Sequence, residues 1–182
     1  TRASTVRVTA SVDTNGDGKI TKGWTEPNQP VDPSKDHRVE FGCYGNAVNP
    51  VDNSLWCTSN RFPGAITRLE RGPNPPESCK AEQFEVPPGK GYYPRGMDID
   101  TTGVAWVSFA GSGHIASFDR RKCKTVNGPT ATGQHCQEGW TFYEAPGPKI
   151  GGTSSGTDWF YIAWVDQFDT LGLGRNVPFT QG

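Results

Sequence analysis

One stretch of this chain occurs twice, and that repetition constrains the fold more than any other feature. GNAVNPVDNSLWCTSNRFPGAITRLER, from Gly45 to Arg71, returns as GMDIDTTGVAWVSFAGSGHIASFDR, from Gly96 to Arg120. Trp56 matches Trp106, Gly64 matches Gly113, Ile66 matches Ile115, and Glu70-Arg71 matches Asp119-Arg120. Beyond an insertion, CKAEQFEVPP from Cys79 aligns with CQEGWTFYEAPGP from Cys136. In the second copy four extended segments are expected: Gly96 to Asp100, Val104 to Phe109, His114 to Asp119 and Trp140 to Glu144. Thr-Thr-Gly and Gly-Ser-Gly mark the first two turns. Four antiparallel strands in a repeat of about 50 residues are the pattern of a propeller blade, with a two-sheet β-sandwich as the alternative.

The remaining chain reads as incomplete copies. Residues 1–40 are expected to form a partial blade and connector, with strands VRVTASV and KIT around a turn; 41–88 and 89–148 are blades; 149–182 are a linker and a partial blade. In the last stretch WFYIAWVDQF supplies strands and LGLGRNVPFTQG reads as loop. The expectation is an all-β, partial β-propeller of about three to four blades, a fragment of a larger ring or one completed by partner chains. Composition agrees, since 23 Gly and 15 Pro with a single Met in 182 residues favour short strands and turns over helices. A net charge of -1 gives no sign of a polyanion-binding surface, so nucleic acid is not an expected partner, and no apolar run is long enough to span a membrane.

By Pro94-x-Gly96, Asp98, Asp100, Gly103-x-x-Trp106 and Gly113-x-Ile115 ending in Asp119, the second copy resembles the streptogramin-lyase-like (virginiamycin B lyase-like) and NHL-type propellers. Pro94-Arg95-Gly96, Asp98, Asp100, Gly103, Trp106, Gly113, Ile115 and Asp119 match the blade motif of that family. The first copy matches less fully, with Cys43 in place of the proline and Asn49 at the second acidic position. The resemblance implies a blade scaffold over roughly Phe41 to Pro148 and, in true lyases, histidines and a carboxylate around magnesium near the ring axis. His37, His114 and His135 form no shared motif with acidic partners, and the last two are expected in exposed hairpin and loop positions.

Five cysteines without CxxC spacing argue for disulfides in an oxidising compartment, extracellular or periplasmic. If the first two strands of the first blade are neighbours, Cys43 and Cys57 face one another. Cys123 and Cys136 flank the insertion KTVNGPTATGQH and would close a loop worth about 3 kcal/mol in chain entropy. Cys79 is the remainder, either a buried thiol or a residue with a partner outside the chain.

VDTNGDGKITKGW, from Val12 to Trp24, opens like a calcium loop. Asp13, Asn15, Asp17, Lys19 and Thr21 fill positions 1, 3, 5, 7 and 9 of such a loop, but position 12 is Trp24. Gly23 and Pro27 also break any following helix, so this is no EF-hand. Two readings stay open: a Ca2+ site between strands completed by Glu26 or Asp32, or turn chemistry alone. Three functions follow as expectations: a binding or assembly module using loops such as Asn60 to Gly64 and Ala110 to His114, a metal-dependent lyase-like enzyme whose site needs further blades, or a structural subunit of an extracellular assembly.

Overall fold

Each copy of the repeat folds as an up-and-down antiparallel sheet in the computed structural model, which describes residues 10–21, 23–40, 42–75, 78–154 and 156–181. The first sheet joins β3 (Asn46–Val48), β4 (Leu55–Ser59), β5 (Ala65–Glu70) and β6 (Lys80–Glu85) in sequence order. The second joins β7 (Pro94–Ile99), β8 (Ala105–Phe109), β9 (His114–Phe118) and β10 (Trp140–Glu144) in the same way. Two-stranded sheets flank them: β1 (Ser11–Val12) with β2 (His37–Arg38), and β11 (Ala163–Asp166) with β12 (Val177–Thr180). Among the described residues the fold is all-β and propeller-like, a partial arc without a closed barrel.

The stacking follows from which side chains share a face. Cross-strand partners point the same way, so Trp56, Ile66 and Phe84 lie on one face of the first blade. Val107, Ala116, Phe118 and Trp140 lie on one face of the second. These two faces meet in the main core, where Phe84 packs 4.6 Å from Phe118 between ring centroids. A smaller cluster of Ala10, Val12, Val39 and Ala81 seals the opposite face of the first blade under β1 and β2. Between the blades runs a charged seam as well: Glu82 accepts from Arg120 Nε at 2.5 Å and from Arg68 Nη1 at 3.2 Å.

Asp100, Gly103 and Gly96 of the blade motif have local structural tasks. Asp100 caps the β7–β8 turn by accepting from Thr102 N, Val104 N and Trp106 Nε1. Gly103 has φ +88 there, and Asn53 takes the equivalent left-handed place in the first blade with φ 58. Gly96 is needed for close approach, because a Cβ would lie 2.6 Å from Ile162 Cα of the neighbouring sheet.

The ends differ from expectation. The strand VRVTASV begins outside the described residues; its described end, β1, pairs with β2 and not with KIT. Lys19 N and Thr21 N donate instead to the side chains of Asp17 and Asp36, so KIT has no free ladder to offer. At the other end, part of the expected loop LGLGRNVPFTQG forms β12, whose Pro178 is tolerated because β12 pairs on one side only.

Candidate functional site

Up-and-down connectivity puts the chain leading into each first strand at the same end of the arc as the loop between its second and third strands. Tyr44 precedes β3, Tyr92 and Tyr93 precede β7, and Trp159 and Tyr161 precede β11. Phe62 comes from the β4–β5 loop and stacks on Tyr92 at 6.1 Å. Three successive sheets therefore deliver aromatic residues to one end, and Phe62 and Trp159 are exposed there.

Beside this end the inner strands β3, β7 and β11 frame a cleft of about 420 Å³ that includes Tyr44, Asn46, Asp98, Tyr161 and Trp164. The Arg95 guanidinium lies 4.7 Å from the Tyr44 ring centroid and 5.6 Å from that of Tyr161. The two tyrosine hydroxyls hydrogen-bond to each other. The Cys43–Cys57 disulfide, with Cα atoms 4.9 Å apart, ties the entrance of β3 to β4 and so fixes Tyr44.

The walls are held at both ends. Thr58 Oγ1 donates to the Arg95 carbonyl, and its repeat equivalent Ser108 donates through Oγ to the carbonyls of Gly96 and Tyr161. At the opposite end Asn49 Nδ2 reaches Gly103 O, and Asn176 Oδ1 accepts from Thr101 N. This hydroxyl pattern escaped the sequence reading, although Thr58 and Ser108 occupy matching positions in the two copies.

The second bridge, Cys123–Cys136, closes the insertion before β10. Cys79 belongs to neither bridge; it is buried, with Sγ 3.3 Å from Arg71 O. His114 and His135 are less exposed than expected. His114 packs edge-on against Phe142 and lies 3.7 Å from Glu144, while His135 packs on Phe84. His37 contacts Thr25 Oγ1 at 2.7 Å. Each histidine thus has separate neighbours, and among the described residues no three His, Cys, Asp or Glu side chains are gathered to hold a metal ion.

In the acidic loop, Asp13 Oδ2 accepts from Gly18 N, Asn15 Oδ1 from Asp17 N, and Asp17 Oδ1 from Lys19 N. Gly16 and Gly18 supply positive φ. Thr21 lies against Asp36, donating its N–H at 2.7 Å. Burial raises the Asp36 carboxyl above its ordinary range; the Thr21 bond opposes this, and the charges of Asp13 and Asp17 add to it. Glu26 is drawn elsewhere, to Trp24 Nε1 at 3.2 Å and Arg38 Nη1 at 3.1 Å. Asp32 closes its own turn on Ser34 and Lys35. No family model matches the chain, and comparisons with curated proteins and with solved structures find no match either.

Proposed function

We propose that this protein is a disulfide-braced, propeller-like binding module of an extracellular or periplasmic space, which takes a protein partner on its aromatic end. The supporting observation is that three successive sheets deliver Tyr44, Phe62, Tyr92, Tyr93 and Trp159 to one end, with Arg95 held against Tyr44 and Tyr161. Aromatic residues and arginine are the side chains that most often dominate protein interfaces, because they offer large apolar area with a polar or charged handle. The two disulfides support an oxidising compartment. No helix among the described residues is long and apolar enough to cross a membrane. The relationship to streptogramin-lyase-like and NHL-type propellers is proposed at the level of the scaffold, because the matching residues serve turns and strand contacts.

A random-peptide display selection against the intact protein tests the reading. Enriched peptides are expected to carry apolar and acidic residues and to bind the Phe62→Ser, Tyr93→Ser double variant at least about tenfold more weakly, since two interface anchors are lost. Enriched peptides that bind wild type and variant alike, or a selection that enriches nothing, would refute it.

A further inference from the structure

Among the described residues, two carboxylate oxygens near the Asp13–Thr21 loop meet no donor. Asp13 and Asp36 are 2% and 0% exposed, and Oδ1 of each is buried without a hydrogen-bond partner. Such oxygens are costly unless a donor or a cation meets them. The other oxygen of each serves the loop: Asp13 Oδ2 receives Gly18 N, and Asp36 Oδ2 receives Thr21 N at 2.7 Å. Asp36 thus brings a carboxylate to the ninth position of DTNGDGKIT, where the sequence itself supplies only a hydroxyl. It also lies within the fields of the Asp13 and Asp17 charges. Lys80 Nζ approaches the loop near Gly18.

We propose that this loop is a calcium site and that Asp36, fifteen residues beyond Thr21, is its remote carboxylate. Asp13, Asn15 and Asp17 supply side-chain oxygens and Lys19 its carbonyl. Glu26 and Asp32 are not ligands, since both are held by neighbours away from the loop. An all-oxygen donor set selects a hard cation, and a loop turned by two glycines suits the larger, less demanding shell of Ca2+ over Mg2+. The carboxylates are not gathered as a ready cluster. On this proposal calcium draws them together, so binding and loop closure are one event. This inference is independent of the aromatic end and stands or falls without it.

Calcium chloride titrated into EDTA-treated full chain, followed by calorimetry and by thermal melting, tests it, with magnesium chloride as comparison. The wild type is expected to bind calcium and melt higher with it, and magnesium to do less. Asp36→Asn and Asp17→Asn should each raise the calcium Kd by roughly tenfold or more, whereas Glu26→Gln binds like the wild type. Without metal, Asp36→Asn should melt no lower than wild type, because the amide removes a buried unpaired charge. A purely structural Asp36 would instead destabilise equally with and without calcium, which overturns the assignment. So would a wild type that takes up no calcium at about millimolar concentration, the weak end of such sites. Should Asp36→Asn fail to fold, Asp17→Asn decides, since Asp17 is exposed and accepts only the Lys19 N–H; wild-type affinity in that variant overturns the site.

Discussion

Glu82→Gln tests whether charge holds the seam between the two complete blades. Glu82 is 8% exposed. It receives Arg120 Nε at 2.5 Å and Arg120 Nη2 at 2.6 Å from across the seam, and Arg68 Nη1 at 3.2 Å within its own blade. The amide keeps the shape and removes the charge, while its NH2 turns a donor toward a guanidinium. Removing one partner of a buried ion pair costs about 3–5 kcal/mol. Two features lower that figure here: Arg68 keeps Asp52 at 2.7 Å, and the Arg120 side chain, 33% exposed, can turn into water. The expected loss is therefore about 2–3 kcal/mol, near the upper range for hydrogen bonds to charged groups. For a chain of this size that corresponds to a melting temperature lower by about 5–10 °C. Urea denaturation with the disulfides intact, on wild type, Glu82→Gln, Arg120→Gln and the double variant, isolates the pair. A coupling energy above about 1 kcal/mol is expected; one below about 0.5 kcal/mol, the limit for independent sites, would refute the charged seam.

Replacing Cys123 and Cys136 together by Ser should lower stability by about 3 kcal/mol through the freed insertion loop, read from urea midpoints; an unchanged midpoint would show that the insertion is held by packing alone. Gly96→Ala should cost more than about 1 kcal/mol, because its Cβ would stand 2.6 Å from Ile162 Cα. A near-neutral melt of that variant would mean that β7 and β11 are not closely apposed. Burial holds the His135 imidazole below its ordinary pKa, against the opposing charges of Glu82, Glu138 and Glu85. The unfolded chain then binds the proton first, so stability is full above about pH 6.5 and falls as pH drops toward the folded value. His135→Leu should flatten that fall in urea midpoints taken between about pH 7.5 and 5.5, and an unaltered slope would contradict the assignment.

Blades were legible because their signals are local and occur twice. Asn49 and Asp100 sit at the ends of first strands, where their side chains receive the turn N–H groups of Val51 and Thr102. The same glance at turn residues misreads the N-terminus. DTNGDG looks like a hairpin tip, yet carboxylates take the N–H groups that KIT would need, and β1 finds β2 across 25 to 27 positions. Asp36 was invisible for the same reason, since nothing in its neighbours in sequence marks it as a partner of Thr21. His114 and His135 read as exposed because they stand in loop-like spelling, while their burial comes from Phe142 and Phe84 on other strands.

Exposed apolar side chains occur at both ends of the arc, and their support differs. At the turn end Phe168, Leu171 and Leu173 are exposed on the one loop between β11 and β12, with the aliphatic Val51 on the β3–β4 turn, and no exposed aromatic comes from a second sheet there among the described residues. The polar groups of that end are already spent: Asp166 accepts from Phe168, Thr170 and Leu171 N–H groups, and Asp100 from Thr102 and Val104. At the aromatic end three sheets contribute, and Arg95 Nε is buried without a hydrogen-bond partner. The hydroxyls of Thr58 and Ser108 hold the carbonyls of Arg95, Gly96 and Tyr161, so the positions of Arg95 and Tyr161 are tied to strands β4 and β8. For the proposed docking at this end, holding Arg95 and Tyr161 in place reduces the entropy that a partner's binding costs.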